Sequence, residues 1–150
     1  MEDKYSTLSD KAILKFKEEG EITIEPFDAR NLNTSSYDVT LGEYYFRETH
    51  RNPESNHIYN MYNEQDVARI WGKPHQAKTS SEYSLYLKNI KPKDKIILIE
   101  PGETILAHTN EFIGGNTHIT TMMKSRSSLG RNFIECCKCA GWGDVGYTSR

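Results

Sequence analysis

No apolar run in this chain approaches the length of a membrane span. The opening, MEDKYSTLSDK, is acidic and polar where a secretory leader would be hydrophobic. Basic charge is not in excess either: 19 Lys and Arg stand against 21 Asp and Glu, a formal net charge of −2. Polymeric nucleic acid normally calls for a basic surplus, so it is excluded as the expected partner. A small anion held by a few local arginines stays compatible with that balance. Cysteine is scarce and crowded, with three residues, Cys136, Cys137 and Cys139, inside four positions. An odd, clustered count makes a poor disulfide framework, so the chain reads as cytoplasmic with reduced thiols. Cys136 and Cys139 have the C-x-x-C spacing that zinc-dependent deaminases use, but no H-x-E or C-x-E lies upstream, so zinc is not expected. The histidines His50, His57, His75, His108 and His118 are scattered without ligand spacing and read as incidental. Internal repeats and low-complexity tracts are absent too.

What is present fits one domain of 150 residues with a modest core. The hydrophobic share is only 36%, yet 11% aromatics lift the composition out of the disordered range. An N-terminal helix is expected where Ser9 or Asp10 caps Ile13, Leu14 and Phe16 and Gly20 ends the run. EITIEP and SYDVTLGEYYF alternate as strands. Residues 47–94 are the least legible and read as an insertion or lid. Within them HRNPESNH is turn-rich, EQDVARIW has helical spacing and YSLYL alternates weakly as a strand. KIILIE reads as a strand buried on both faces, PGE as a turn and TILAH as its partner strand. Gly114 and Gly115 read as a break, HITTMMK and NFIECCKC as further strands. Roughly seven to nine short strands and one N-terminal helix point to a mainly β barrel or jelly roll.

Chemistry concentrates in RSSLGR (126–131). Arg126 and Arg131 each carry a planar fork of donors suited to phosphate oxygens. Ser127 and Ser128 add hydroxyls, and Gly130 permits close backbone approach or a positive φ. The set suits a polyphosphate or its attached sugar. Asp144 follows in the turn-like GWGDVGY. The residues alone leave Asp144 open between a turn aspartate bonding its own backbone and a site residue. Asp38 reads as structural, a carboxylate that needs a backbone or arginine partner. Trp142, Tyr44, Tyr45, Phe46, Met122 and Met123 read as packing residues, and the thiols as buried small hydrophobes.

Five segments in order resemble the dCTP deaminase branch of the dUTPase-like superfamily. They are LSDKAILKFKEEGEITIEP, SSYDVTLGEYY, EPGETILAHTNEFI, RSSLGR and AGWGDVGYTS. RSSLGR is the most specific of these, because the usual dUTPase counterpart has glycine in place of the second serine. The resemblance implies a distorted jelly roll, a homotrimer with sites between subunits, and hydrolytic removal of the 4-amino group of dCTP to give dUTP and ammonia. It implies no zinc, with Mg2+ carried on the substrate triphosphate. By motif, Ser127 falls on the residue that helps hold the attacking water and Arg131 on an arginine near the base and that water. Arg126 and Ser128 complete the nucleotide-binding loop, and Asp144 falls on the aspartate that contacts the deoxyribose. Val145 replaces the usual proline. The family's proton-shuttling glutamate is expected beyond Arg150, so the chain is expected to be C-terminally incomplete, a fragment or a truncation. A dUTPase-type nucleotidohydrolase, a bifunctional deaminase and dUTPase, and a non-catalytic nucleotide-binding remnant stand as the alternatives.

Overall fold

A computed structural model describes residues 6–49, 58–83, 87–137 and 140–150. The elements run α1 (Asp10–Glu18), β1 (Ile22–Glu25), β2 (Leu41–Arg47), α2 (Glu64–Trp71), β3 (His75–Gln76), β4 (Lys78–Thr79), β5 (Lys95–Ile96), β6 (Ile105–Thr109), β7 (Phe112–Gly115), β8 (Thr121–Met122), α3 (Ser127–Arg131), β9 (Trp142–Gly143) and β10 (Thr148–Ser149). Short 3-10 turns occur at Ala29–Asn31 and Ser80–Tyr83. The fold is mainly β, as expected. Its strands form two three-stranded sheets, β1-β7-β10 and β3-β2-β6, and two ladders, β4-β5 and β8-β9. No closed barrel forms among the described residues. No helix there is long and apolar enough to cross a membrane. Two compact units result, one from the residues up to Thr40 with those from Thr109 on, the other Leu41–His108.

In the first unit the Ser9 hydroxyl accepts the Ala12 N–H (3.3 Å) and starts α1, and Gly20 (φ +78°) ends it. The helix lays Ile13 against Ile22 and Ile24, the inward residues of β1. Leu8, Phe16, Phe27, Leu32, Tyr37, Ile113 and Ile119 close around these three. Each isoleucine contributes about 1.5–3 kcal/mol by leaving water. β1 runs antiparallel to β7, pairing Ile24 with Ile113, and β10 covers the other edge of β7. Gly114 and Gly115, expected to break the chain, instead finish β7. A side chain on Gly114 would overlap Thr148, and one on Gly115 would overlap the Ile119 carbonyl. The pair marks close approach between segments, not a stop.

In the second unit β2 begins at Leu41, later than its alternation suggested, because the residues before it bond elsewhere. Asp38 N–H donates to the Asn31 carbonyl (2.8 Å). Tyr45 is buried and stacks on His75, while Tyr44 is half exposed over His108, so only part of the Tyr44–Tyr45–Phe46 run is core. α2 forms as its spacing predicts, capped by Asn63 and ended at Gly72 (φ +62°). KIILIE departs from expectation. Only Lys95 and Ile96 pair, with β4, while Leu98 and Ile99 are exposed, and the TILAH strand β6 joins β2 instead. PGE does turn the chain, with Gly102 at φ +79° and Glu103 N–H bonding the Glu100 carbonyl (3.0 Å). HRNPESNH, His50, His57, the centre of YSLYL and Cys139 lie outside the described residues.

Candidate functional site

The site is assembled from the first unit. β8 and β9 form a two-residue antiparallel ladder, Thr121 opposite Gly143 and Met122 opposite Trp142. Met123 N–H extends it to the Gly141 carbonyl (2.6 Å). Past Met123 the chain leaves into RSSLGR, which forms the single turn α3 rather than a loop. Leu129 is half-buried and anchors that turn, and its carbonyl accepts Ile134 N–H (3.0 Å) and Asn132 N–H (2.9 Å). The Asn132 side-chain amide donates to the Ser128 carbonyl (2.7 Å). One turn therefore presents Arg126, Ser127, Ser128 and Arg131 together, all exposed. Gly130 does not take a positive φ, and the space beside its Cα is open.

Arg126 Nη1 donates to Asp38 Oδ2, an ion pair between groups 88 residues apart. Of the two partners expected for Asp38, backbone or arginine, its carboxylate takes the arginine. Arg131 and the hydroxyls of Ser127 and Ser128 have no hydrogen bond or ion pair among the described residues. Chemically the turn carries donors of the kind that suit an anion, and among the described residues both arginines keep unbonded nitrogens.

Asp144 follows β9 in a turn closed by Tyr147 N–H on the Asp144 carbonyl (3.0 Å), with Gly146 at φ +81°. Gly146 at the third position and Val145 at the second give type II geometry. The turn closes through the main chain, so the Asp144 carboxylate is exposed and unengaged among the described residues. The antiparallel register sends RSSLGR and Asp144 out of the β8–β9 ladder at opposite ends. The structure thus unites Arg126, Ser127, Ser128 and Arg131 on one turn, and no hydrogen bond or ion pair among the described residues links Asp144 to them.

Sequence reasoning missed Glu111. It is buried at 4% exposure, and its carboxylate accepts the Thr40 N–H and the Thr40 hydroxyl, both at 2.9 Å. The bonds span 71 positions, beyond any local spacing signal. They strap the chain two residues after Asp38.

The remaining singled-out residues meet their expectations only in part. NFIECCKC is not a strand among its described residues, because Phe133 and Cys137 take positive φ (61° each), which no ladder accommodates. Cys136 and Cys137 are half-buried and free, and the Cys137 thiol donates to Met123 Sδ (2.9 Å). Burial, and secondarily Cys136, pushes the Cys137 thiol up from its ordinary pKa, which makes it a poor nucleophile. No three His, Cys, Asp or Glu among the described residues come together as metal ligands. Of the three described histidines, His75 and His118 are exposed, as expected of incidental ones, and each makes a ring contact: His75 on Tyr45, His108 on Tyr44, and His118 edge-on to Phe16 at 5.6 Å. Trp142, Met122 and Met123, expected to pack, are 58%, 52% and 42% exposed. Among the described residues these three side chains are left largely uncovered.

Comparison with known proteins defines the class. The model of the dCTP deaminase-like family matches residues 7–150, and the chain belongs to that family. It is similar to "dCTP deaminase, dUMP-forming" of Hydrogenobaculum sp. (strain Y04AAS1), 37% identical over 142 residues, covering 93% of this chain and 64% of the relative. The protein of the same name from Acidothermus cellulolyticus is 33% identical over 143 residues, covering 94% and 63%. That from Methanothermobacter thermautotrophicus is 32% identical over 146 residues, covering 95% and 64%. The chain thus spans just under two thirds of the length of these relatives.

Proposed function

We propose that this chain carries the nucleotide-gripping part of a dCTP deaminase, in which water replaces the cytosine 4-amino group: dCTP + H2O gives dUTP + NH3. The observation that carries the reading is the exposed turn holding Arg126, Ser127, Ser128 and Arg131 in a chain of this family. Arg126 and Ser128 hold phosphate oxygens. Ser127 orients the attacking water and Arg131 holds the base and that water, so the water is kept against C4 of the ring. Asp144 contacts the deoxyribose. Magnesium enters on the triphosphate and offsets its charge.

Asp144 leaves its ladder on the far side from the arginine turn, which supports a site completed by a second copy in a homotrimer. Exposed Phe133, Trp142 and Tyr147 offer apolar surface for such contacts. The free thiols Cys136 and Cys137 suit a reducing cytoplasm.

A second reading follows from the names of the relatives. The relatives are named dUMP-forming, and on this reading the chain takes part in the overall reaction in which dCTP + 2 H2O gives dUMP + NH3 + pyrophosphate. Supplying Mg·dCTP and Mg·dUTP separately and assaying ammonia and pyrophosphate distinguishes these outcomes. Ammonia alone from dCTP supports the first reading, and ammonia with pyrophosphate the second. Pyrophosphate only, from dUTP, makes the protein a nucleotidohydrolase. Binding without either product makes it a non-catalytic nucleotide binder, and no binding ends the reading.

A further inference from the structure

We propose that Asp38 is the positioning residue for Arg126, holding its guanidinium so that the unused edge meets the substrate phosphates. The inference rests on the proposed nucleotide grip. Arg126 bonds Asp38 through Nη1 alone, leaving Nε and Nη2 unbonded among the described residues. Those two nitrogens form one edge of the fork, suited to two phosphate oxygens. Asp38 is a fixed post. Its N–H is held by the Asn31 carbonyl, Tyr37 before it accepts the Asp28 N–H on its hydroxyl (2.9 Å), and Thr40 after it is clamped twice by Glu111.

A purely structural role explains the pair poorly. The Arg126 side chain is 69% exposed, and exposed ion pairs contribute little to folding. A freely rotating arginine, by contrast, loses much rotamer freedom on gripping a ligand, and a preformed contact removes part of that loss. The sign of the effect discriminates further. By charge alone, neutralising Asp38 would tighten binding of a polyanion, whereas loss of positioning weakens it.

The test is a double-mutant cycle on Mg·dCTP affinity by calorimetry, with thermal melts alongside. Asp38→Asn is expected to weaken binding about tenfold with an unchanged melt, the scale of a coupled contact pair. In an Arg126→Ala background the same change is expected to do nothing further. Asp38→Glu, which keeps a carboxylate within reach, is expected to recover most of the affinity, and it also serves if Asp38→Asn melts early. Unchanged or tighter binding by Asp38→Asn, the same loss in the Arg126→Ala background, or no recovery by Asp38→Glu overturns the assignment. If Arg126→Ala itself binds Mg·dCTP normally, the nucleotide grip falls as well, which separates failure of that reading from failure of this one.

Discussion

Arg131 projects from its turn without an internal partner among the described residues, so under the proposed function its removal concerns the ligand and not the fold. Arg131→Ala is expected to weaken Mg·dCTP binding by about 1–3 kcal/mol, the scale of a charge-assisted contact. Unfolding stability should stay within about 0.5 kcal/mol, as for exposed positions generally. Calorimetry and a denaturant melt check the two halves. Asp28 behaves differently. Hydrogen bonds from the Arg30 side chain, then from its N–H, hold the Asp28 carboxyl down at about 2, against an ordinary 3.8. A depressed carboxyl stabilises the fold above its unfolded value and loses that contribution as pH falls from about 4 toward 2. Asp28→Asn is therefore expected to lose less stability than the parent between pH 4 and 2, read from acid melts. The two arginine forks and two hydroxyls were legible in the sequence because they are neighbours in the chain. Asp38's need for a backbone or arginine partner was legible too, but not that Arg126 would meet it, and Glu111 gave no local sign at all.

At the scale of elements, Val145 and Gly146 set the turn that displays Asp144. Proline pre-sets φ at the second position of a type II turn, and no described hydrogen bond uses the Val145 N–H. Val145→Pro is expected to raise unfolding stability by about 0.4–1 kcal/mol, read as a higher denaturant midpoint. A lower midpoint would mean the turn is not type II in solution. α1 was readable because cap, apolar stripe and terminating glycine agree with one another. Elsewhere the local signal competed with tertiary demands. The glycines of β7 serve contact with Thr148 and Ile119, not a break. The apolar run KIILIE yields only two paired residues, and the alternation in NFIECC is overridden by backbone turning at Phe133 and Cys137. Runs of apolar residues report burial only when another layer exists to cover them.

Over the whole molecule, apolar side chains remain in view: Phe133 is 99% exposed, Tyr147 60% and Trp142 58%. The proposed trimer predicts sedimentation at three times the 17.3 kDa chain mass, and a monomer at micromolar concentration would remove that proposal. Mainly-β character and family were legible from five ordered segments, whereas the division into two units was not, since no composition shift marks Thr40 or His108. The claim on which the rest depends is that the Arg126–Arg131 turn grips a triphosphate tail. Titrating the protein with Mg·dCTP and with dCMP tests it most directly. Saturable binding of dCTP at least about a hundredfold tighter than dCMP is expected, roughly two charge-assisted contacts in magnitude. Equal affinity for the two nucleotides, or no binding of either, would contradict the account.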